Sequence, residues 1–332
     1  MSGDTTFPWH QEPWQRLSRA RKSGRLAHAI LLAGPSGLGK AAFARRLAYS
    51  LVCIEPGESG DACGRCSACR QAAAGSHPDL QMVMPEETGK HIRIGAIRGL
   101  TEKSVLSVQE SGHRVFVIEP ADAMNRSAAN ALLKTLEEPS SRTLLILVSS
   151  HPDRLAATIR SRCQTLNFRI PAPTEVRSWL AAKTGGREPL DELLAVSGGA
   201  PLRALLAKEQ DWLGQSRRLI EELLDLKNRK VNPVTIVEEW EKRPLPLLSD
   251  SLKRCLSDLV KLASGLCDAV IYHPGVRADL QCLSEGIDLQ SLHGYNDELL
   301  RMERNSSNNL NVQMQLEYMV NRWLQITRPG GR

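Results

Sequence analysis

The chain has 332 residues, of which 42% are hydrophobic and 24% charged, and a formal net charge of +6. These values suit a soluble globular protein of two or three domains and exclude a disordered or fibrous chain. Mild basicity permits contact with nucleic acid but does not require it. Residues 1–30 hold no apolar core followed by small residues, and no apolar run approaches the ~20 residues of a membrane span. The expectation is therefore a cytoplasmic chain with no secretory signal and no membrane partner.

Residues 1–25 are largely polar, with Pro8, Trp9 and Trp14 among the exceptions, and read as a short segment that tucks its tryptophans under the first domain. The apolar run Ala29-Ile30-Leu31-Leu32-Ala33 predicts a buried strand. It enters Gly34-Pro35-Ser36-Gly37-Leu38-Gly39-Lys40, a G-x-x-x-x-G-K loop of the kind that wraps nucleotide phosphates in its backbone N–H groups. A helical stretch from Lys40 to about Val52 leaves the loop, and its first turn attracts anions. The next position, where a Ser or Thr hydroxyl would hold magnesium, is Ala41.

Beyond the loop, strands and helices alternate, which implies a parallel sheet with flanking helices. Further strands are expected at 79–84, 115–118, 144–148 and 164–168. A helix is expected at 94–108, with Ile94, Ile97, Thr101 and Val105 along one face. Another is expected at 127–138, where Ala129, Leu132, Leu133 and Leu136 recur at helical spacing and Pro139 stops the run. Pro171-Ala172-Pro173 reads as a linker, and strand signals vanish after it. A few short helices lead to about Lys208, interrupted at Ser197-Gly198-Gly199, and longer ones follow, such as 251–270 and 310–326.

Cys63-x-x-Cys66-x-x-Cys69, preceded by Cys53, supplies the number of thiolates that a closed tetrahedral zinc site takes. Gly64, Ser67 and Ala68 are small enough to let the chain turn tightly about an ion. With every position filled the site is structural, because a catalytic zinc keeps one position open for water. An iron–sulfur cluster is the alternative use of the same thiolates. Cysteines grouped in this way point to a reducing compartment. Cys163, Cys255, Cys267 and Cys282 are isolated and are expected to be small core residues.

In a working loop ATPase a later strand ends in Asp-Glu, the Asp serving the magnesium shell and the Glu aligning the attacking water. Here Val115-Phe116-Val117-Ile118 runs into Glu119-Pro120. Glu119 retains a carboxylate for a metal shell, whereas Pro120 cannot orient water. Ala41 and Pro120 strike one reaction from opposite sides and argue against hydrolysis. Gly34, Gly37, Gly39 and Lys40 are intact, which leaves ATP or ADP binding without turnover open.

Asn130-Ala131-Leu132-Leu133-Lys134-Thr135-Leu136-Glu137-Glu138-Pro139 is followed further on by Ser161-Arg162-Cys163. N-A-L-L-K-T-L-E-E-P and then S-R-C, with Leu26-Ala27-His28-Ala29 ahead of the loop and the cysteine quartet after its helix, resembles the clamp-loader subunits of bacterial DNA polymerase III, members of the AAA+ group. The likeness is dense from Leu26 to Phe168 and thins to pattern level beyond. The departures at Ala41 and Pro120 make the chain similar to the delta-prime type, which does not hydrolyse ATP, and unlike the gamma/tau motor type.

The resemblance implies an α/β AAA+ fold over residues 1–170 with a zinc-binding insertion around 53–69, a small helical lid over 171–210, and an all-α collar over 211–332. It implies a part in DNA replication, loading the sliding clamp. The partners would be gamma/tau motor subunits and a delta subunit in a hetero-pentameric ring, with primer-template DNA and the clamp met through the complex. The chain would belong to the DNA-directed DNA polymerase holoenzyme, a nucleotidyltransferase, while being neither polymerase nor active ATPase itself. Arg162 would be an arginine finger lent in trans to the neighbour's phosphates. Ser149 and Arg203 stand at the family's sensor positions, vestigial if nothing is turned over. Two alternatives are an active motor subunit of the same complex and a zinc-dependent DNA-binding module on an AAA+ scaffold. An aromatic content of 4% offers the latter no stacking platform.

Overall fold

The computed structural model describes residues 6–328 apart from 88–89, 105–107, 109–111, 141, 187–188, 267–268 and 306–310. The chain divides into two compact units, Met1–Val176 and Arg177–Arg332.

The first unit opens with a 3-10 turn, Pro8–His10, and helix α1 (Gln11–Lys22). Then come β1 (Ala29–Ala33), α2 (Lys40–Val52), α3 (Ser67–Ala73), β2 (Leu80–Val83), α4 (Ile94–Ser104) and β3 (Arg114–Ile118). They are followed by α5 (Arg126–Glu137), β4 (Thr143–Ser149), α6 (Ala157–Arg160) and β5 (Gln164–Asn167). The strands form one parallel sheet in the order β2-β3-β4-β1-β5. Strands β1, β3 and β4 are buried at every position. That is why their sequences are apolar runs without alternation, as in a sheet covered on both faces.

On one face Ile97 and Leu100 of α4 and Ala128, Leu132 and Leu136 of α5 pack with Phe116, Ile118, Leu145 and Leu147. The expected α4 face continues to Val105, which lies outside the described residues. Helix α5 starts at Arg126 because the Asn125 side chain accepts from the Ala128 N–H and caps it. Strand β3 begins on a charge: Arg114 is buried because its Nη2 donates to Asp79 Oδ1 at 3.0 Å.

The second unit is helical: α7 (Pro173–Thr184), α8 (Leu190–Val196), α9 (Pro201–Glu209), α10 (Trp212–Lys227), α11 (Pro233–Glu241), α12 (Leu245–Ala263), α13 (Arg277–Ser284), α14 (Leu289–Asn305) and α15 (Val312–Ile326). The start of α7 belongs to the first unit's last residues. The core includes Trp240, Tyr295 and Trp323. Each aromatic tip has a partner: Trp323 Nε1 donates to Leu223 O, Tyr295 Oη to Met319 O, and Trp240 Nε1 to Glu222.

The helix expected at 251–270 instead spans Leu245–Ala263. Pro244 and Pro246 mark its start, where a missing N–H costs nothing, and Gly265 in the left-handed region ends it. Of the isolated cysteines, expected in the core, only Cys282 clearly departs among the described residues. Cys255 is fully buried, Cys163 is half-buried against the sheet core, and Cys282 is exposed near the end of α13. Cys267 lies outside the described residues. Among the described residues no helix is long and apolar enough to cross a membrane.

Candidate functional site

The phosphate loop joins β1 to α2 as the glycine spacing requires. Gly34 (φ 144°), Gly37 (φ 81°) and Gly39 (φ 79°) all take positive φ. At Gly34 a side chain is also excluded by space, since a Cβ would collide with the carbonyl of Phe168. Lys40 does not reach outward. Its Nζ donates to Gly34 O (2.7 Å), Pro35 O (2.6 Å) and Ser150 Oγ (3.2 Å), which uses all three ammonium hydrogens. Burial pushes its pKa down to about 8, against the pull of Asp122 and Glu119. Burial also raises the Glu119 carboxyl, while Arg45 and Lys40 lower it. Asp122 accepts from the Ser150 N–H. The loop thus has an internal charge balance between Lys40 and the carboxylates of Asp122 and Glu119.

The N-terminal segment covers this loop. Trp9 Nε1 (2.9 Å) and His10 Nε2 (2.7 Å) both donate to Leu38 O, and Phe7 stacks on Trp9 with ring centroids 5.1 Å apart. A Cβ on Gly39 would lie 2.5 Å from the Phe7 ring. His10 is completely buried, edge-on to Phe43 and Phe168. Because a carbonyl only accepts, Nε2 carries the hydrogen, and Nδ1 has no partner among the described residues. Desolvation lowers the His10 pKa to about 4, outweighing the Leu38 bond that raises it.

The unfolded chain therefore binds a proton between pH 4 and 6.5 that the folded chain refuses, so stability falls as pH falls through that window. We expect the loss to reach roughly 3 kcal/mol. Urea unfolding at several pH values should show a steeper acid loss for the native chain than for His10→Gln, and equal slopes would contradict this.

The cysteines converge as their spacing implies. The Sγ atoms of Cys53, Cys63, Cys66 and Cys69 all lie within 4.8 Å of one another, with Cys53–Cys66 at 4.0 Å and Cys63–Cys69 at 3.9 Å. A tetrahedral zinc with Zn–S bonds of about 2.3 Å spaces its sulfurs about 3.8 Å apart, so the donor set fits that ion. The backbone N–H groups of Cys63, Cys66 and Cys69 point at the sulfurs of Cys53, Cys63 and Cys66, an arrangement that favours thiolate charge.

The loop between Cys53 and Cys63 is gripped from outside the cluster. Trp14 Nε1 donates to Ser59 O, Lys22 Nζ donates to Glu58 O, and Arg46 makes a two-pronged contact with Asp61 at 2.5 and 2.9 Å. The Arg46 guanidinium also lies 3.8 Å from the Trp14 ring centroid. Helix α1 therefore runs from the phosphate-loop cover to the cysteine knuckle.

Arg162 follows α6 at the surface. Its Nη2 donates to Glu137 Oε1 at 2.8 Å and its Nη1 to Thr158 O at 3.0 Å. Ser149 is fully buried and its Oγ accepts from the His151 N–H, so it is Ser150 that meets Lys40. Arg203, on α9 in the second unit, donates to Asp250 at 2.9 Å and lies 5.5 Å from the Trp212 ring centroid. Within the first unit the structure brings Gly34, Gly39 and Lys40 together; it does not bring Ser149 to the lysine.

Family models described as "DNA polymerase III, delta subunit" and "DNA polymerase III, delta subunit, C terminal" match residues 9–172 and 210–325. DNA polymerase III subunit delta' of Pseudomonas aeruginosa is 36% identical over 98% of this chain and 99% of its own. The chain belongs to the DNA polymerase III delta-prime family. The delta-prime protein of Bacillus subtilis is 31% identical over 92% of this chain and 93% of its own. A gamma/tau subunit of Mycobacterium tuberculosis is 34% identical over 50% of this chain and 28% of its own, so the likeness to gamma/tau spans half of this delta-prime chain.

Sequence reasoning missed several residues of this delta-prime site. Ser150 is masked by its neighbour Ser149, which stands at the strand end. Asp122 lies past Pro120, where no motif looks for it. Phe7 and His10 sit in a short polar stretch with no periodicity. Only the pairing of Trp9 with Trp14 hinted that the segment packs on the domain.

Proposed function

We propose that this delta-prime family member is the non-hydrolysing subunit of the polymerase III clamp loader and lends Arg162 to a neighbouring motor subunit. The observation that carries the reading is the state of the phosphate loop. Lys40 is saturated by Gly34, Pro35 and Ser150, with no hydroxyl at Ala41 and no carboxylate at Pro120. A nucleotide would have to displace the lysine from its own loop and contend with the Phe7–Trp9–His10 cover. Once bound, it would find the Glu119 carboxylate for a metal shell, but no hydroxyl at Ala41 to anchor magnesium and no carboxylate at Pro120 to align a water.

Gly34, Gly37, Gly39, Lys40 and Glu119 would cradle ATP or ADP without splitting it, and Ser149 and Arg203 would be relics of sensing. An active motor subunit of the same kind is opposed by the same residues. Cys53, Cys63, Cys66 and Cys69 would hold a structural zinc, whose part is to cross-link the knuckle. The chain's residues do the rest, with α1 and Arg46 fixing the intervening loop.

The assembly we infer is a hetero-pentameric ring with gamma/tau motor subunits and a delta subunit, working in the cytoplasm on the sliding clamp and primer-template DNA. Residues 171–210 would serve as the lid and 211–332 as the collar. Arg162 suits its role because a guanidinium stays charged and meets phosphate oxygens in pairs. ATP turnover by the purified chain alone tests the reading, and we expect none above the no-enzyme rate.

A further inference from the structure

We propose that Glu137 is the positioning residue for Arg162, holding its guanidinium in the attitude from which it meets a neighbour's phosphates. The proposal deepens the finger reading above and rests on it. Glu137 is the last residue of α5 and follows Leu136, which is 2% exposed. Arg162 lies between Ile159, fully buried, and Cys163. Leu136, Leu155 and Ile159 share one apolar cluster, and Cys163 packs against it. Both backbones are thereby pinned to the same core, and the two side chains meet above it at 2.8 Å. The T-L-E-E-P and S-R-C stretches, far apart in the chain, are joined at this pair.

The geometry leaves Arg162 usable. A guanidinium has five N–H donors. One on Nη2 goes to Glu137 Oε1 and one on Nη1 to Thr158 O, with Ser161 Oγ 3.5 Å from Nη1. The other donors remain for phosphate oxygens, and the Arg162 side chain keeps 37% of its surface. An untethered arginine samples many rotamers and loses that freedom on binding; one already held by Glu137 and Thr158 loses less. The pair is exposed enough that it adds little to folding, so its use lies in orientation.

The test uses the full chain assembled with gamma/tau-type motor subunits and measures steady-state ATP turnover for native, Glu137→Gln, Glu137→Asp, Arg162→Ala and the Glu137→Gln/Arg162→Ala double variant. We expect Glu137→Gln to lower kcat about three- to tenfold while KM for ATP moves less than about twofold, Glu137→Asp to fall between it and native, and no added loss once Arg162 is gone. The variants should melt with the native chain. Native or faster turnover in Glu137→Gln, with Arg162→Ala slow, overturns the positioning role and leaves the finger standing. An equal loss in both backgrounds, or failure of Glu137→Gln to assemble, overturns it in favour of another role. Arg162→Ala turning over at the native rate overturns the finger reading itself.

Discussion

Arg162→Ala is expected to leave the chain folded and assembled while slowing ATP turnover at the motor site it faces by about 10³-fold or more. The size follows from the chemistry. Phosphoryl transfer places little covalent demand on the protein, and stabilising charge on the transferring group supplies most of the catalysis. On the finger reading proposed above, losing Arg162 withdraws stabilisation from that charge. Folding should be indifferent, because Arg162 is half-exposed and its partners among the described residues are Glu137 and nearby backbone and hydroxyl oxygens. Single-turnover kinetics on the assembled complex separates the faced site from the others. Native rates at every site would contradict the expectation.

On the zinc reading proposed above, chelation is expected to have the largest effect on stability. Structural zinc contributes up to about 10–16 kcal/mol in small isolated modules. Here the knuckle sits on a larger core, so a share of that range is at stake, and a fall in Tm of about 10 °C or more is expected on chelation. The loss should be visible at Trp14, whose Nε1 bonds Ser59 in the loop between two ligands and whose ring carries Arg46. Cys66→Ser should reproduce both the lower Tm and the altered tryptophan emission. Protein isolated without metal, melting unchanged in the presence of chelator, would remove zinc from the picture.

The parts of the molecule that were legible in sequence are those fixed by local rules. Strand β1, the glycine loop and α2 follow from an apolar run, three glycines in positive φ and a helix-forming stretch, and their bounds emerge as read. The convergence of the cysteine quartet was legible because its spacing is short enough to bring four sulfurs together. What was not legible depends on contacts between distant, unpatterned residues. Three of the chain's four phenylalanines, Phe7, Phe43 and Phe168, gather around His10 next to the phosphate loop, yet they come from an N-terminal turn, α2 and the end of β5. Nothing in a composition of 4% aromatics announces that concentration. Arg203 illustrates the same limit, since Asp250 and Trp212, which hold it, lie on other helices. Cys282 reads as a small core residue but falls on the solvent side of α13, where periodicity in so short a helix leaves the face undecided.

The most direct measurement is ATP hydrolysis by the purified chain alone, over a range of ATP and magnesium, with Lys40→Ala alongside. We expect no turnover above background from either protein, whether or not nucleotide binds. Brisk hydrolysis by the native chain that disappears in Lys40→Ala would contradict the central claim that this phosphate loop has lost the means to split what it holds.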